Sequence, residues 1–154
     1  MRHILFFSFL LAATTLCAQR NPFTTITERN GKIGIGTEMP DELLTVKGKI
    51  HTQEVLVDLQ GAVAPDYVFD YFVHGFSAEM PTYRLLPLAE LERYVREHRH
   101  LPKIPSAQQL REDGLSLKEM NLLLLEKIEE LTLYTLQQQK EIDQMKEKLS
   151  QLDN

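Results

Sequence analysis

The stretch LKEMNLLLLEKIEELTLYTLQQQKEIDQMKEKLSQL, from Leu117 to Leu152, contains no glycine and no proline. At 1.5 Å per residue it predicts one helix on the order of 50 Å long. Counting heptads from Asn121 as position a gives an apolar seam of five heptads with three polar interruptions. The a positions are Asn121, Ile128, Thr135, Ile142 and Leu149, and the d positions are Leu124, Leu131, Gln138, Met145 and Leu152. This pattern predicts a coiled coil.

Charges beside the seam favour parallel chains. In a parallel, in-register assembly, Glu141 at g meets Lys146 at e of the neighbouring chain, and Lys148 meets Asp153, so both pairs have opposite signs. We expect identical chains to oligomerise through six seam residues. These are Leu124, Ile128, Leu131, Ile142, Met145 and Leu149.

The seam leaves the number of chains open. Asn121 and Ile128 at a, with leucine at d, favour two chains, whereas Gln138 at d and a wider apolar face favour three or more. The wider face comes from Leu122, Leu123, Leu125 and Leu133. We expect these leucines to pack on the preceding small helices or on other chains.

Residues 63–114 are predicted to form a small mixed domain with short helices. From Pro87 the apolar period is helical, and this helix should end before Pro102. An extended connector follows up to Pro105. Two capping boxes then open a short helix ending near Gly114 and the long helix of segment 115–154. Their residues are Ser106 with Gln109, and Ser116 with Glu119.

Residues 19–62 have the character of β-structure. Runs 32–37, 43–47 and 54–58, separated by turns at 30–31 and 47–49, predict a short β meander, intertwined in an oligomer. The spacing G-x-x-G-x-G of Gly31, Gly34 and Gly36 is not that of a dinucleotide-binding loop. We interpret these glycines as sites of close backbone approach. The predicted fold class is α+β.

The N-terminal segment predicts export. Residues 1–18 have Arg2 followed by an apolar run of about 13 residues, which is typical of a signal peptide and shorter than the roughly 20 residues of a membrane-spanning helix. Cleavage follows Ala18 or Cys17. We expect an exported protein, extracellular, on the cell surface or in the periplasm, with no membrane span after signal removal.

Composition excludes several classes of function. The 154 residues carry a net charge of −5, so no basic field attracts nucleic acid. His98 and His100 stand beside Arg96 and Arg99, a poor setting for a cation. Asp66 and Asp70 are an i,i+4 pair, but we expect Pro65 to prevent a helix that presents them together. We predict no catalytic, cofactor-binding or metal-binding residues, no cofactor, and no enzyme.

An aromatic cluster lies before the predicted helices. Four of the five tyrosines lie between Tyr67 and Tyr94. We interpret the cluster as core or as a buried contact between subunits, and alternatively as a ligand platform. The candidate binding residues are Tyr71, Phe72, His74, Phe76 and Tyr83.

Two parts of the sequence resemble secreted bacterial tail-fibre-like proteins. NGKIGIGT at 30–37, with Pro40 and LLTVKG at 43–48, is similar to their repeat N-G-x-[VI]-G-I-G-T-x-x-P-x-x-L-x-V-x-G. The C-terminal module that often follows is matched by PDYVFD at 65–70, residues 88–94, HLPKIPSA at 100–107, Gly114, Glu119-Met120 and LEKIEELTLY at 125–134. The resemblance implies a β repeat, a small helical cap and a trimeric coiled coil.

The layout is also similar to the intramolecular chaperone domain of endosialidases and phage tail spikes. The self-cleaving version of that domain begins with serine-aspartate and has an L-K-x-N-I stretch, which this sequence lacks. No catalytic residue is therefore carried over, and autoproteolysis is not expected. Residues 71–82 resemble an insertion relative to the tail-fibre-like module, either a binding loop or neutral length variation.

Two functional hypotheses follow. The first is a secreted structural and assembly module whose helices join identical chains into a homo-oligomer, with a trimer favoured by the resemblance and a dimer as the alternative, either alone or within a larger fibre. The second is an adhesin that binds a glycan or protein through the aromatic 67–83 region.

Overall fold

In the computed structural model, which describes residues 25–152, a three-stranded sheet is followed by four helices. The predicted α+β class is confirmed. The chain divides into two units between Val55 and Leu56. The predicted signal peptide at 1–18 and the charge partner Asp153 lie outside the described residues.

The first unit is built on an Asn-Gly hairpin. Strands β1 (Ile26–Arg29) and β2 (Lys32–Ile35) pair antiparallel. Asn30 and Gly31 between them have φ of 54° and 76°, the positive values that a tight two-residue hairpin turn requires. Strand β3 (Leu44–Val46) pairs with β2 in parallel, with Leu44 opposite Ile33.

This sheet departs from the predicted meander in its strands. The run 54–58 forms no strand, and the segment before the turn supplies β1 instead. Val55, Leu56 and Val57 are three consecutive apolar residues without the alternation that specifies a half-buried strand. The pairing of β2 with β3 is also parallel, whereas a meander is antiparallel throughout.

Close backbone approach explains two of the glycines, as interpreted from the sequence. A Cβ at Gly34 would overlap the carbonyl oxygen of Thr37. Gly36 has φ of 72°, and a Cβ there would lie 3.1 Å from the carbonyl oxygen of Lys47. Both glycines are therefore required by the tight loop that returns the chain from β2 to β3.

The second unit contains the helices α1 (Tyr67–His74), α2 (Leu88–His98), α3 (Ala107–Asp113) and α4 (Leu117–Leu152). The three predicted helices α2, α3 and α4 are confirmed. Arg99 ends α2 in the left-handed region with φ of 62°. Ser106 and Gln109 form the predicted capping box of α3, and the Glu119 N–H donates to Ser116 Oγ over 3.4 Å at the start of α4.

Helix α1 corrects the expectation drawn from Pro65. The proline stands just before the helix, where its missing N–H is tolerated. Asp66 occupies the N-cap position and Asp70 the first turn, so both carboxylates belong to the start of one helix. Gly75 ends α1 with φ of 75°, and its N–H donates to the Tyr71 carbonyl over 2.7 Å.

The core of the second unit is small and lies where α1 packs on α4. Tyr67, Val68, Tyr83 and Leu133 are buried together, and Tyr71 packs against them. The ring centroids of Tyr67 and Tyr83 are 5.1 Å apart, and the Tyr71 ring meets Tyr83 edge-on at 5.5 Å. This tyrosine cluster is therefore core within a single chain.

Candidate functional site: the two faces of the long helix

One face of α4 is covered by its own chain. Leu133 and Glu126, at heptad position f, are each 2% exposed, and Glu129, at b, is 6% exposed. The covering residues come from α1 and the segment after it, which we call the cap (residues 65–86). The cap therefore occupies the side of α4 opposite its a and d positions.

The predicted oligomerisation residues lie on the open face. Their exposed fractions are 46% for Leu124, 59% for Ile128, 63% for Leu131, 41% for Ile142, 55% for Met145 and 62% for Leu149. Each of these six side chains keeps at least 41% of its surface exposed, because the cap packs on the other side of the helix. An apolar stripe of this length, here interrupted by Thr135 and Gln138, costs free energy in water unless another surface covers it.

The threonines near this stripe have their hydrogen bonds satisfied locally. Thr135 Oγ1, at position a, donates to the Leu131 carbonyl over 2.8 Å, and Thr132 Oγ1 donates to the Ile128 carbonyl over the same distance. If a second chain covered these threonines, their hydroxyl groups would keep these hydrogen bonds and their methyl groups would face that chain.

A groove of about 420 Å³ runs beside the first half of the stripe. One wall is α4 and the other is α2 with the connector after it. The α4 wall contains Leu124, Lys127, Ile128, Glu130, Leu131 and Tyr134, and the opposite wall contains Leu91, Leu101 and Pro102. The groove therefore borders the d and g positions of α4.

A charged cluster ties the connector to the covered face of α4. Glu126 Oε1 lies 2.8 Å from Lys103 Nζ and 2.9 Å from Lys127 Nζ, and Glu126 Oε2 accepts a hydrogen bond from the Tyr67 hydroxyl. Burial opposes the charge on Glu126, but the hydrogen bonds from Lys103, Tyr67 and Lys127 prevail and lower its pKa. Glu126 is therefore a buried carboxylate held in its charged form.

Glu130 extends the cluster to Tyr83. Its Oε2 accepts from Lys127 Nζ over 2.9 Å, and its Oε1 accepts from the Tyr83 hydroxyl over 3.3 Å. Burial and the nearby carboxylates raise the pKa values of Tyr67 and Tyr83, so both phenols stay protonated and donate. Lys103 Nζ also lies 5.3 Å from the centre of the Tyr83 ring, within cation–π range.

Glu129 is the exception in this polar layer. Its Oε2 is buried with no hydrogen-bond partner within residues 25–152. Burial, followed by the charges of Asp66 and Glu126, raises the pKa of its carboxyl group. This side chain costs stability when it is charged.

The aromatic binding candidates divide into two groups. Tyr83 is 4% exposed and Tyr71 packs against the core, so neither ring is presented as a flat platform. His74 is exposed, and Phe72 and Phe76 are 59% and 55% exposed.

The histidines at the end of α2 pack with one another. His98 stacks on Tyr94 with 4.1 Å between ring centroids, and His100 meets His98 edge-on at 6.0 Å. Within residues 25–152, no three His, Cys, Asp or Glu side chains are grouped to hold a metal ion.

Sequence reasoning missed the charged cluster and the groove. Lys103 and Tyr67 lie 23 and 59 residues from Glu126, so no local spacing reveals that they meet. One signal was available, since Tyr67, Lys103 and Glu126 all belong to the segments that carry the tail-fibre-like resemblance.

No family model, curated protein or solved structure matches the chain. Among residues 25–152, no helix has both the length and the apolar character to cross a membrane.

Proposed function

We propose that the chain is a secreted structural and assembly module of a tail-fibre-like surface protein, whose identical copies associate through α4. One observation carries this proposal: the cap covers one face of α4, while the six seam leucine, isoleucine and methionine residues on the opposite face are each at least 41% exposed. A second copy of the same helix offers a matching stripe. A trimer is the preferred assembly, because the resemblance implies it, and the module stands alone or ends a larger fibre.

Association through α4 would act on the rest of the chain by proximity. Once the helices of neighbouring copies are joined, the N-terminal β segments are held at high effective concentration. They then pair without first searching for one another in solution. The role is mechanical and requires no chemical step.

A double substitution in the seam tests the proposal. Ile128→Asp with Leu131→Asp places charges in two adjacent layers, and we expect the oligomer to dissociate to a monomer in light scattering across a concentration series. Leu136→Asp is the matched control, because Leu136 is 56% exposed but lies at position b, outside the seam. An unchanged oligomer mass after the double substitution would contradict the proposal.

The exposed phenylalanines favour a second candidate function, an adhesin that binds a glycan or protein. Phe72, Val73 and Phe76 are each more than half exposed on the outer side of α1 and just after it. Deleting 71–82 would remove Tyr71, Met80 and Ser77, which pack in or against the core, so point substitutions are the better test. We expect Phe72→Ser with Phe76→Ser to keep the oligomer mass and abolish binding to a panel of immobilised glycans. If the unmodified protein binds no member of the panel, the glycan-binding candidate fails.

A further inference from the structure

The groove beside the seam has two unequal sides. On the g side of α4 it is walled by α2 and the connector, through Leu91, Leu101 and Pro102. On the e side, Leu125 is 42% exposed and does not line the groove. Each chain therefore carries a walled flank and an open apolar flank on the same helix.

These flanks are complementary in a parallel coiled coil. In that geometry the g flank of one helix contacts the e flank of the next helix, and each g residue lies nearest the e residue five positions later. The open flank of a second copy, with Leu125 and Thr132, would then face the walled flank. The Thr132 hydroxyl is already bonded to its own helix, so its methyl group is free to face an apolar wall.

We propose that the groove receives α4 of a second copy of this chain, with Leu125 of that copy seated against Leu101. This inference rests on the proposed association through α4. A second copy is the expected occupant, because Leu124, Ile128 and Leu131 line the groove and also belong to the seam through which copies would associate. It is also assigned by charge, because further along the same helix Glu141 faces Lys146 of a parallel copy and gives that copy a defined register.

Contacts within a single chain hold the connector part of the wall against α4. Lys103, two residues after Leu101, has φ of 67° and reaches Glu126 on α4. The Ile104 N–H donates to the Leu101 carbonyl over 3.1 Å, which closes a tight turn around Pro102 and Lys103. The buried charged cluster thus positions the apolar residues that a second copy would contact, so their conformational entropy is already reduced.

Mixed disulfide formation tests this docking directly. Two versions of the full chain are made with Cys17→Ser, one carrying Leu101→Cys and the other Leu125→Cys, and they are refolded together and oxidised. Because each chain has a single cysteine, a disulfide joining one chain of each version forms only between copies. We expect a dimer band on a non-reducing gel that neither version gives when it is oxidised alone, and we expect no such band when Leu136→Cys replaces Leu125→Cys.

An affinity measurement distinguishes a stable contact from a disulfide that forms in a chance collision. Leu125→Gln is expected to raise the dissociation constant of the oligomer by about tenfold or more, as for loss of one buried leucine contact. Leu136 is also an exposed leucine of α4 but lies outside the groove. Leu136→Gln is therefore expected to leave the dissociation constant unchanged.

The outcomes separate this inference from the proposed function. An oligomer that persists without the mixed disulfide, or a Leu125→Gln oligomer as tight as the Leu136→Gln control, overturns the docking while association through the seam stands. A monomer at every concentration of the unmodified chain overturns both.

Discussion

At the scale of single residues, two glutamates are among the most buried side chains of the second unit. Glu126 is 2% exposed yet contacts two lysines and a tyrosine, whereas Glu129, one turn later, is 6% exposed and has an unpartnered oxygen among the described residues. The two carboxylates share one helix and nearly the same burial. Their partners differ, and the pKa of Glu126 is lowered whereas that of Glu129 is raised.

Removing the charge of Glu126 is expected to destabilise the fold. Its pKa is lowered in the folded state, so its contribution is present above the ordinary carboxyl range and is lost as pH falls through the folded-state value. We expect Glu126→Gln to lower the free energy of unfolding by about 2 to 3 kcal/mol at pH 7. This loss is smaller than is usual for a broken buried ion pair, because Lys127 keeps its ion pair with Glu130. Urea unfolding at fixed protein concentration should show the difference shrinking in acid.

An exposed ion pair supplies the control for this substitution. Glu92 and Arg96 are 2.7 Å apart on α2 with exposed side chains. Glu92→Gln should change the free energy of unfolding by less than about 0.5 kcal/mol. Equal effects of Glu92→Gln and Glu126→Gln would show that the buried cluster contributes no more than a surface pair.

Removing the charge of Glu129 is expected to have the opposite effect on stability. Its pKa is raised in the folded state, so the stability linked to this group is present below the ordinary carboxyl range and is lost as pH rises through the folded-state value. We expect Glu129→Gln to stabilise the protein by on the order of 1 kcal/mol at pH 7, with the gain vanishing in acid. Glu147→Gln, at an exposed position of the same helix, should have no effect at either pH. A loss of stability at pH 7 would mean that the Glu129 carboxylate has a favourable partner.

At the scale of elements, prediction from sequence succeeded where the signal is local. Helix α4 has the predicted bounds because its apolar period is unbroken by glycine or proline. Helix α3 begins at Ala107, directly after its N-cap Ser106, because its capping box involves residues three apart. Helix α1 was missed because Pro65 was interpreted as excluding a helix, although a proline just before the first turn removes no helical hydrogen bond.

The site was predictable only in part, for a physical reason. The heptad period places the seam on one face of α4, so the identity of its residues follows from the sequence alone. The cover on the opposite face depends on Tyr67 and Lys103 approaching Glu126 through tertiary packing, which no periodicity encodes. The parallel pairing of β2 with β3 was missed likewise, because it depends on the loop geometry that Gly34 and Gly36 allow.

The loop between β2 and β3 gives a prediction at this scale. Gly34→Ala places a methyl group against the Thr37 carbonyl, so the loop must shift and the pairing of β2 with β3 should weaken. We expect faster amide hydrogen exchange at Ile33 and Lys47, whose N–H groups donate across this pair over 2.9 Å and 3.0 Å. Gly48→Ala is the control, because a Cβ there meets nothing within 4 Å. Equal protection in the two variants would show that Gly34 is not required for the turn.

At the scale of the whole molecule, the proposed assembly depends on how copies are oriented. The apolar seam alone is compatible with either direction, because a and d positions meet in both. The e and g charges select the parallel arrangement, since Glu141 then meets Lys146 of the neighbour. That arrangement also brings each walled flank against an open flank of the neighbouring copy.

Orientation and chain number are both accessible through Leu149. This residue is 62% exposed at position a, so in a parallel, in-register assembly it lies beside the same residue of its neighbours. In the Cys17→Ser background, Leu149→Cys should form an intermolecular disulfide on oxidation, because neighbouring a positions lie within disulfide range. Leu136→Cys, at position b, should not.

The yield of that disulfide counts the chains. In a parallel dimer, complete oxidation leaves no free thiol, because every cysteine has one neighbour. In a trimer the third cysteine of each assembly has no partner left, so one chain in three stays as a monomer on a denaturing gel and reacts with a thiol reagent. We expect the trimer result, since the apolar Met120 at g and Leu125 at e widen the seam at its start. No disulfide in an oligomer of unchanged mass would mean that the helices run antiparallel, which would remove the basis for pairing the walled flank with the open one.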